Sequence, residues 1–299
     1  MSAFPFLGKS NHHYLPSDFP RRKLGKTGEN LSIIGFGGIM VANTEQSKAN
    51  SMVARAFEMG INYFDVAPSY GNAEDQLGQA LAPYRNKSFL ACKTLERDKA
   101  GAKKEMEESL KKLKTDFFDL YQLHALTKRD DVEKVFGPDG AMETFVKAKK
   151  EGKIRYIGFS AHSREAALLA MEKFDFDTIL FPVNFVCWHK GSFGPQVVKK
   201  AREKGMGILA LKSLAFTRIP KGEKKPYERL WYIPIEDKRT ASLSLRFTLS
   251  QGVTAAIPPG DHQFWDVAMK IAQNYTPPDL KELSELKEIS SGISPLFKT

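Results

Sequence analysis

Short apolar runs alternate along the chain with segments whose polar and apolar positions repeat at the period of a helix. This alternation is typical of βα units built around a parallel sheet, and it argues against an all-helical or all-strand domain. The runs predicted to be strands are 31–37, 61–67, 88–94, 117–124, 154–160, 178–185, 207–214 and 253–259. Eight such units in a chain of 299 residues predict an α/β fold, specifically a (β/α)8 barrel.

Glycine stands at several junctions between a predicted helix and the next strand. Gly60, Gly152 and Gly205 each follow an amphipathic segment and precede an apolar run by one or two residues. A left-handed residue at the end of a helix is most easily glycine, because glycine has no Cβ. The three glycines therefore predict helix ends that lead directly into buried strands.

The first 20 residues lack this alternation. They contain three prolines and the adjacent His12 and His13, and we expect an irregular arm whose histidines are exposed rather than metal ligands. Residues 21–299 are predicted to form a single barrel domain. At its start, KTGE (26–29) lies between two short extended pieces, which predicts a β-hairpin that covers the floor of the barrel.

Three longer connections, 125–140, 186–195 and 215–238, each follow a predicted strand. In a parallel barrel the loops after the strands build the active face. We therefore expect long loops at the carboxyl-terminal face and a functional site among them.

Composition and charge exclude several classes of protein. With 42% hydrophobic and 27% charged residues, the chain can bury one large core. The net charge of +10 is compatible with nucleic-acid binding. However, the basic residues lie in mixed-sign helical stretches such as 103–114 and 146–153, and no nucleic-acid motif accompanies them. We expect no nucleic-acid partner, and an excess of charge suited to attracting an anionic ligand.

The chain shows no apolar run near the roughly 20 residues of a membrane-spanning helix, and no evident export signal. We expect no membrane association and a cytoplasmic location. The two cysteines, Cys92 and Cys187, provide neither a disulfide framework nor a CxxC spacing for a metal or cluster. Both are predicted to be buried thiols, and no metal site is expected.

A glycine cluster follows the first predicted strand, in GFGGIM (35–40). Met40 stands where the third glycine of the GxGxxG dinucleotide fingerprint belongs, so the Rossmann interpretation fails. Taken alone, the cluster is more typical of a tight turn between a strand and a loop than of a phosphate-binding loop.

Polar side chains stand at the ends of the second, third and fourth predicted strands. Asp65 and Tyr70 lie in FDVAPSYG, Lys93 in FLACKT, and His124 in DLYQLHA. Because the strands of a parallel barrel end at one rim, these four residues are expected to converge. Their clustering at otherwise apolar strand ends favours a functional site over isolated structural hydrogen bonds.

With these motifs, and with the hairpin segment RRKLGKTG, the chain resembles the aldo-keto reductases from Arg22 to about Gln273. The resemblance implies a barrel that binds NADP(H) across its top without a Rossmann domain and reduces small-molecule carbonyls to alcohols. It also implies that Asp65, Tyr70, Lys93 and His124 form a catalytic tetrad.

The chemistry explains these residue types. Hydride reaches a carbonyl carbon only if the oxygen is protonated or polarised, and Tyr70 is the expected acid. Lys93 is expected to lower the pKa of Tyr70, and Asp65 to fix the ammonium. His124 is expected to orient the carbonyl oxygen or to join the proton relay.

The positions implied for the cofactor match less completely. Ser160 stands at the site that holds the nicotinamide carboxamide. However, Ala161 stands where an asparagine often follows in the family, and Leu180 stands where many members carry a glutamine. Asn184 matches a polar site facing the nicotinamide. The pyrophosphate is expected at Lys212 and the backbone amides of Ser213 and Leu214. The remaining implied cofactor contacts are Gly37, Gly38, Asp65, Pro258 and Gly260.

The segment after the eighth strand departs from the NADP pattern. It carries Asp261 and His262, with no basic residue before Lys270. We therefore favour NADP(H) but leave NAD(H) open.

The substrate pocket is predicted to involve Met40, Trp188 and Trp231. These side chains and the other aromatic residues of the third long connection either line an apolar pocket or pack their loops on the barrel. The chief alternative function is a non-catalytic nucleotide-sensing protein on the same barrel, like the potassium-channel β subunits. The complete tetrad favours the enzyme. The oligomeric state is open, and a monomer is compatible with the sequence.

Overall fold

The structure is a computed structural model that describes residues 19–298. The predicted irregular arm, with His12 and His13, lies outside the described residues except for its last two positions. The strands are β1 (Arg21–Lys23), β2 (Asn30–Ser32), β3 (Phe36–Gly37), β4 (Tyr63–Asp65), β5 (Phe89–Thr94), β6 (Phe118–Leu126), β7 (Ile154–Ala161), β8 (Thr178–Pro182), β9 (Gly207–Leu211), β10 (Ala215–Arg218), β11 (Tyr232–Pro234) and β12 (Ala255–Ala256).

Helices alternate with these strands around the sheet. They are α1 (Gln46–Glu58), α2 (Ala73–Leu81), α3 (Lys99–Lys112), α4 (Arg129–Phe136), α5 (Ala141–Lys150), α6 (Arg164–Lys173), α7 (Phe185–His189), α8 (Pro195–Glu203), α9 (Lys238–Ser250), α10 (His262–Gln273) and α11 (Leu280–Ser291). Short 3-10 helices occupy Gly25–Thr27, Gly38–Val41 and Ala82–Lys87.

The eight strands β3 to β9 and β12 form one parallel sheet, in the order β3-β4-β5-β6-β7-β8-β9-β12. The sheet curls until its edges meet, where Ile34 bridges to Ala256 in parallel orientation. The Gly35 amide donates to the Ala256 carbonyl at 3.0 Å, and the Ala256 amide donates to the Ile33 carbonyl at 2.9 Å. The predicted (β/α)8 barrel is confirmed.

The antiparallel hairpin β1–β2 covers the floor of this barrel, as predicted. Its apolar side chains, Leu24 and Leu31, are buried in the same cluster as the inward-facing residues of the barrel. Those inward-facing residues include Tyr63, Phe89, Leu120, Leu180 and Leu209. A second, larger apolar cluster packs the outer face of the strands against the helices.

The predicted helix ends are also confirmed. Gly60, Gly152 and Gly205 have φ of +91°, +78° and +66°, the left-handed conformation that an L-residue with a Cβ disfavours. Cys92 and Cys187 are buried and free, as predicted. Within residues 19–298 no helix combines the length and apolar character needed to cross a membrane.

Several strands are shorter than the predicted apolar runs. The predicted strand 31–37 is divided, because its start pairs within the β1–β2 hairpin, Ile34 bridges to β12, and only β3 pairs with β4. The predicted strand 253–259 retains only β12, since the adjacent Pro258 and Pro259 cannot donate to a ladder. The runs 178–185 and 207–214 end early, because Asn184 begins α7 and Lys212 turns the chain at φ +67°.

The three long connections contain more regular structure than expected. The first includes α4 and the second most of α7. The third forms the antiparallel pair β10–β11, whose ladder is irregular between Ala215 and Thr217. This third connection, 215–238, extends across the carboxyl-terminal end of the barrel and lines the cavity described next.

Candidate active site

A cavity of about 230 Å³ opens at the carboxyl-terminal ends of the barrel strands. Asp65, Tyr70, Lys93 and His124 all line it. Asp65 ends β4, Lys93 lies near the end of β5, His124 lies near the end of β6, and Tyr70 lies in the turn after β4. The predicted convergence of these four residues is therefore present in the structure.

Asp65 and Lys93 form an ion pair that is almost completely shielded from solvent, with 3% and 1% of each residue exposed. The Lys93 ammonium also donates to the Val66 carbonyl at 3.2 Å. The other Asp65 carboxylate oxygen accepts from the Tyr63 hydroxyl at 3.4 Å and from the Gln122 amide nitrogen at 3.3 Å. Three donors thus hold the carboxylate, and the carboxylate fixes the ammonium.

Burial alone would lower the pKa of Lys93, but the charge of Asp65 and the neighbouring Tyr70 outweigh it and raise that pKa above its ordinary value. Lys93 therefore remains a cation. Its Nζ lies 5.4 Å from the centroid of the Tyr70 ring.

The pKa of Tyr70 departs from the expectation. Burial raises it, and although the Lys93 ammonium lowers it in the predicted direction, the net pKa is above that of a free phenol. Removing a phenol from water penalises its anion more than one cation compensates here. Tyr70 is consequently protonated at neutral pH, which is the form that can act as an acid.

His124 lies beside Tyr70, with ring centroids 6.2 Å apart and planes at 88°. Burial, together with the positive charge of Lys93 and the neighbouring His162, lowers the pKa of His124 to about 3. The imidazole is therefore neutral at neutral pH and can donate one N–H while its other nitrogen accepts. No side-chain hydrogen bond of His124 is found within residues 19–298, so the ring is available to a ligand.

Lys212 lines the same cavity. Its Nζ lies over the rings of Trp231 and Tyr232, at 4.9 and 4.5 Å from their centroids. Burial lowers the pKa of Lys212 to about 8, and no carboxylate among residues 19–298 pairs with it. A half-buried cation that faces a cavity without an acidic partner is suited to an anionic ligand.

A sequence model of the "Aldo/keto reductase family" matches residues 33–231, more than half of the chain. The chain belongs to the aldo/keto reductase family. Its alignment with an uncharacterised oxidoreductase of Bacillus subtilis, YqkF, is 38% identical over 155 residues. That alignment covers 47% of this chain and 48% of the relative, so the chain matches about half of the relative's length.

Other similarities extend further along this aldo-keto reductase. The L-galactose dehydrogenase of Arabidopsis thaliana is 25% identical over 239 residues, covering 74% of this chain and 72% of the relative. The holo form of the aldo-keto reductase AKR11C1 from Bacillus halodurans superposes with a TM-score of 0.72 at 24% identity. This superposition covers 94% of this chain and 100% of that chain, and it shows the shared fold.

The structure separates the predicted cofactor residues of this aldo-keto reductase into two groups. Some line the cavity: Gly37, Asp65, Ser160, Lys212, Pro258 and Gly260. Others lie outside its lining: Gly38, Asn184, Ser213 and Leu214. Among residues 19–298, the backbone N–H groups of Ser213 and Leu214 have no hydrogen-bond acceptor, but both residues are fully buried.

Asn184 does not face the cavity, contrary to expectation. Its side-chain oxygen accepts from the amides of Val186 and Cys187 at the start of α7. Its nitrogen donates to the carbonyls of Lys212 and Ala215 at 3.0 and 2.7 Å. All four hydrogen bonds of the Asn184 side chain are therefore made within the protein, and they connect the start of α7 to the turn at Lys212.

Of the predicted substrate residues, only Trp231 lines the cavity, and 40% of it is exposed. Met40 is buried in the 3-10 helix after β3 and does not reach the cavity. Trp188 also lies elsewhere, because its ring packs edge-on against Phe247 at 5.9 Å.

Two polar residues of the cavity were not anticipated, His162 and Arg229, whereas Tyr232 belongs to the aromatic residues of the third long connection that were expected either to line the pocket or to pack their loop on the barrel. His162 follows Ser160 by two positions, and the strand period places both on one face, a pattern that could have identified it. Burial and the nearby Lys212 charge lower the pKa of His162 to about 4. Arg229 reaches the cavity from within the third long connection, where no sequence pattern marks it.

Asp261, the residue that casts doubt on NADP, is the N-cap of α10. Its carboxylate accepts from the Gln263 amide at 3.1 Å. The preceding Gly260 lines the cavity, whereas Asp261 does not. Lys270 lies in the last turn of α10, at the opposite end of that helix.

Proposed function

We propose that this protein reduces a small aldehyde or ketone to an alcohol with NADPH, and that Tyr70 is the general acid. The main support is a single cavity that contains a protonated phenol, a buried lysine–carboxylate pair and a neutral imidazole. Membership of the aldo/keto reductase family supports oxidoreductase activity and a nicotinamide cofactor.

The cavity contains positively charged residues that suit such an anionic cofactor. Lys212 and Arg229 both line the cavity, and neither forms an ion pair within residues 19–298. Arg229 is held there because it donates to the Ala42 carbonyl at 2.6 Å. Both cations are suited to phosphate oxygens, and the backbone amides of Ser213 and Leu214, which follow Lys212 in the chain, remain the proposed pyrophosphate contacts.

When bound, the reduced nicotinamide supplies a hydride to the carbonyl carbon. Negative charge then develops on the carbonyl oxygen, and the Tyr70 hydroxyl donates its proton there. The Lys93 ammonium stabilises the resulting phenolate, while Asp65 keeps the ammonium beside the ring. Neutral His124 donates an N–H to the same carbonyl oxygen and orients it before proton transfer.

The choice of NADPH over NADH rests on the family resemblance and the net charge of +10, and Asp261 argues for some use of NADH. A small carbonyl compound is the only partner that the proposal requires. The two buried free thiols fit a reducing compartment, and we place the protein in the cytoplasm.

The test is steady-state oxidation of NADPH and NADH by the purified protein, with a panel of aldehydes and ketones of increasing size. We expect turnover with at least one class of carbonyl, and saturation by micromolar cofactor. Tight cofactor binding in a separate titration, without turnover for any carbonyl in either direction, would instead support the nucleotide-sensing alternative.

A further inference from the structure

His124 is presented to the cavity by an irregularity in β6. The parallel pairing of β6 with β7 shifts register between Leu123 and Leu126. Within the shift, Ala125 adopts φ of +53°, a left-handed conformation that residues with a Cβ rarely adopt. Such a conformation persists only where the surroundings hold it.

Arg97 holds one side of this irregularity. Its guanidinium Nη2 donates to the carbonyls of His124 and Ala125, at 2.7 and 3.2 Å. The side chain is 12% exposed, and its Nε lies 3.8 Å from the Asp131 carboxylate. Asp131 is in turn fixed at the start of α4, where it accepts from the Thr127 amide at 2.9 Å.

Ser160 holds the other side, because its hydroxyl oxygen accepts from the Ala125 amide at 2.7 Å. The peptide groups next to His124 are therefore bound from two directions. Arg97 is the partner that does not line the cavity, so its contribution can be separated from contacts with ligands.

We infer that Arg97 is a positioning residue for His124, whose guanidinium fixes the backbone that aims the imidazole beside Tyr70. The inference rests on the proposed function, since it assigns Arg97 a part in carbonyl reduction. Both carbonyl bonds come from Nη2 while Nε faces Asp131, so a lysine would retain the charge but could not make these contacts from separate nitrogens of one planar group.

The experiment compares Arg97→Met and Arg97→Lys with Arg129→Met. Arg129 is an exposed arginine of α4 that forms ion pairs with Glu133 and Glu165 outside the cavity. We expect Arg97→Met to lower kcat about 10- to 100-fold, since small displacements of a catalytic group have effects of this size. The kcat of Arg97→Lys should lie between those of wild type and Arg97→Met, and the kcat of Arg129→Met should equal that of wild type. The dissociation constant of NADPH should stay within about twofold for all three.

A double-mutant cycle distinguishes positioning from a general structural role. In a His124→Gln background, Arg97→Met should change kcat by less than about twofold, because its partner is already absent. A full loss in that background would overturn the inference, as would wild-type kcat in Arg97→Met. Thermal unfolding of each variant verifies that it is folded.

A readout without turnover keeps the two proposals separable. The imidazole resonances of His124, assigned by their loss in His124→Gln, should shift in Arg97→Met and not in Arg129→Met. If wild type lacks turnover, the proposed function fails, and an unchanged His124 resonance in Arg97→Met would then overturn the positioning role on its own.

Discussion

Tyr70 is the residue whose chemistry the proposed reaction depends on most directly. Tyr70→Phe removes one oxygen from a site held by packing, so we expect turnover to fall by at least the roughly 100-fold typical of losing a general acid. Cofactor affinity should be nearly unchanged, because the phenol acts on the carbonyl. Steady-state kinetics and a cofactor titration measure both. Near-normal turnover in this variant would refute the assignment of the tetrad.

Lys93→Met should reduce turnover similarly and change its pH dependence. The Lys93 charge lowers the pKa of Tyr70 against the effect of burial, so its loss raises that pKa further. A proton then stays on Tyr70 to higher pH, and the alkaline limb of the residual activity should move upward. Lys93→Met leaves the buried Asp65 carboxylate without its partner, which destabilises the fold. The double variant Asp65→Asn/Lys93→Met removes that unpaired charge and is the control for this loss of stability. An alkaline limb that stays in place would contradict the coupling.

At the scale of single residues, the sequence was sufficient to predict which side chains lie together, where a residue type is unusual for its position. A lysine or a histidine at the end of an apolar strand is conspicuous, and all four tetrad positions converge. Arg97 gave no such signal, because it acts on the carbonyls of His124 and Ala125. Any backbone offers carbonyls, so only the folded chain reveals which ones an arginine reaches.

At the scale of elements, helix α7 and the turn at Lys212 are joined by one side chain. Asn184→Ala removes the cap of α7 and both bonds to the turn, leaving buried groups unsatisfied. We expect a loss of about 2 kcal/mol in the free energy of unfolding. NADPH should also bind more weakly, although Asn184 does not line the cavity. Urea denaturation and a cofactor titration measure the two effects, and unchanged cofactor affinity would contradict the support of Lys212.

The loop between β12 and α10 is expected to influence the choice of cofactor. A carboxylate at a helix N-terminus occupies a position that would otherwise favour phosphate, so Asp261 should disfavour a nearby 2′-phosphate. Asp261→Ser keeps a capping oxygen and removes the charge. We expect it to strengthen binding of NADPH relative to NADH, and Asp261→Arg to do so further.

Dissociation constants for both reduced cofactors, at one salt concentration, provide the measurement. The serine variant is the control for helix capping, which the arginine variant loses. If the ratio of the two constants is the same in wild type and both variants, the 2′ position of the cofactor lies away from this loop.

The elements themselves were predicted where periodicity and glycine agree. Gly60, Gly152 and Gly205 marked three helix ends, and apolar runs located the barrel strands. The β10–β11 pair was not predicted, because its four- and three-residue strands are too short to show an alternating pattern. Asn184 and Lys212 ended two strands early for reasons of backbone conformation that an apolar run does not encode.

For the molecule as a whole, the barrel explains why distant residues share one cavity. Parallel strands that close through Ile34 and Ala256 must all end at one rim. This made the position of the site predictable from the order of the strands. The wall formed by Arg229, Trp231 and Tyr232 was not predictable to the same degree, because the third connection could have folded either over the barrel or beside it.

Burial of His124 and His162 should make the whole fold sensitive to acid. Their pKa values in the folded protein are about 3 and about 4, below the ordinary value of 6.5. Between pH 6.5 and the folded-state pKa of each histidine, the unfolded chain binds protons that the folded protein does not, so the free energy of unfolding falls as the pH is lowered. From pH 7 to pH 5, the expected loss is about 2 kcal/mol for each histidine. Urea denaturation at both pH values measures the change, and His124→Gln/His162→Gln should remove about 4 kcal/mol of it. Equal pH dependence in wild type and the double variant would show that the two imidazoles take up protons in the folded state.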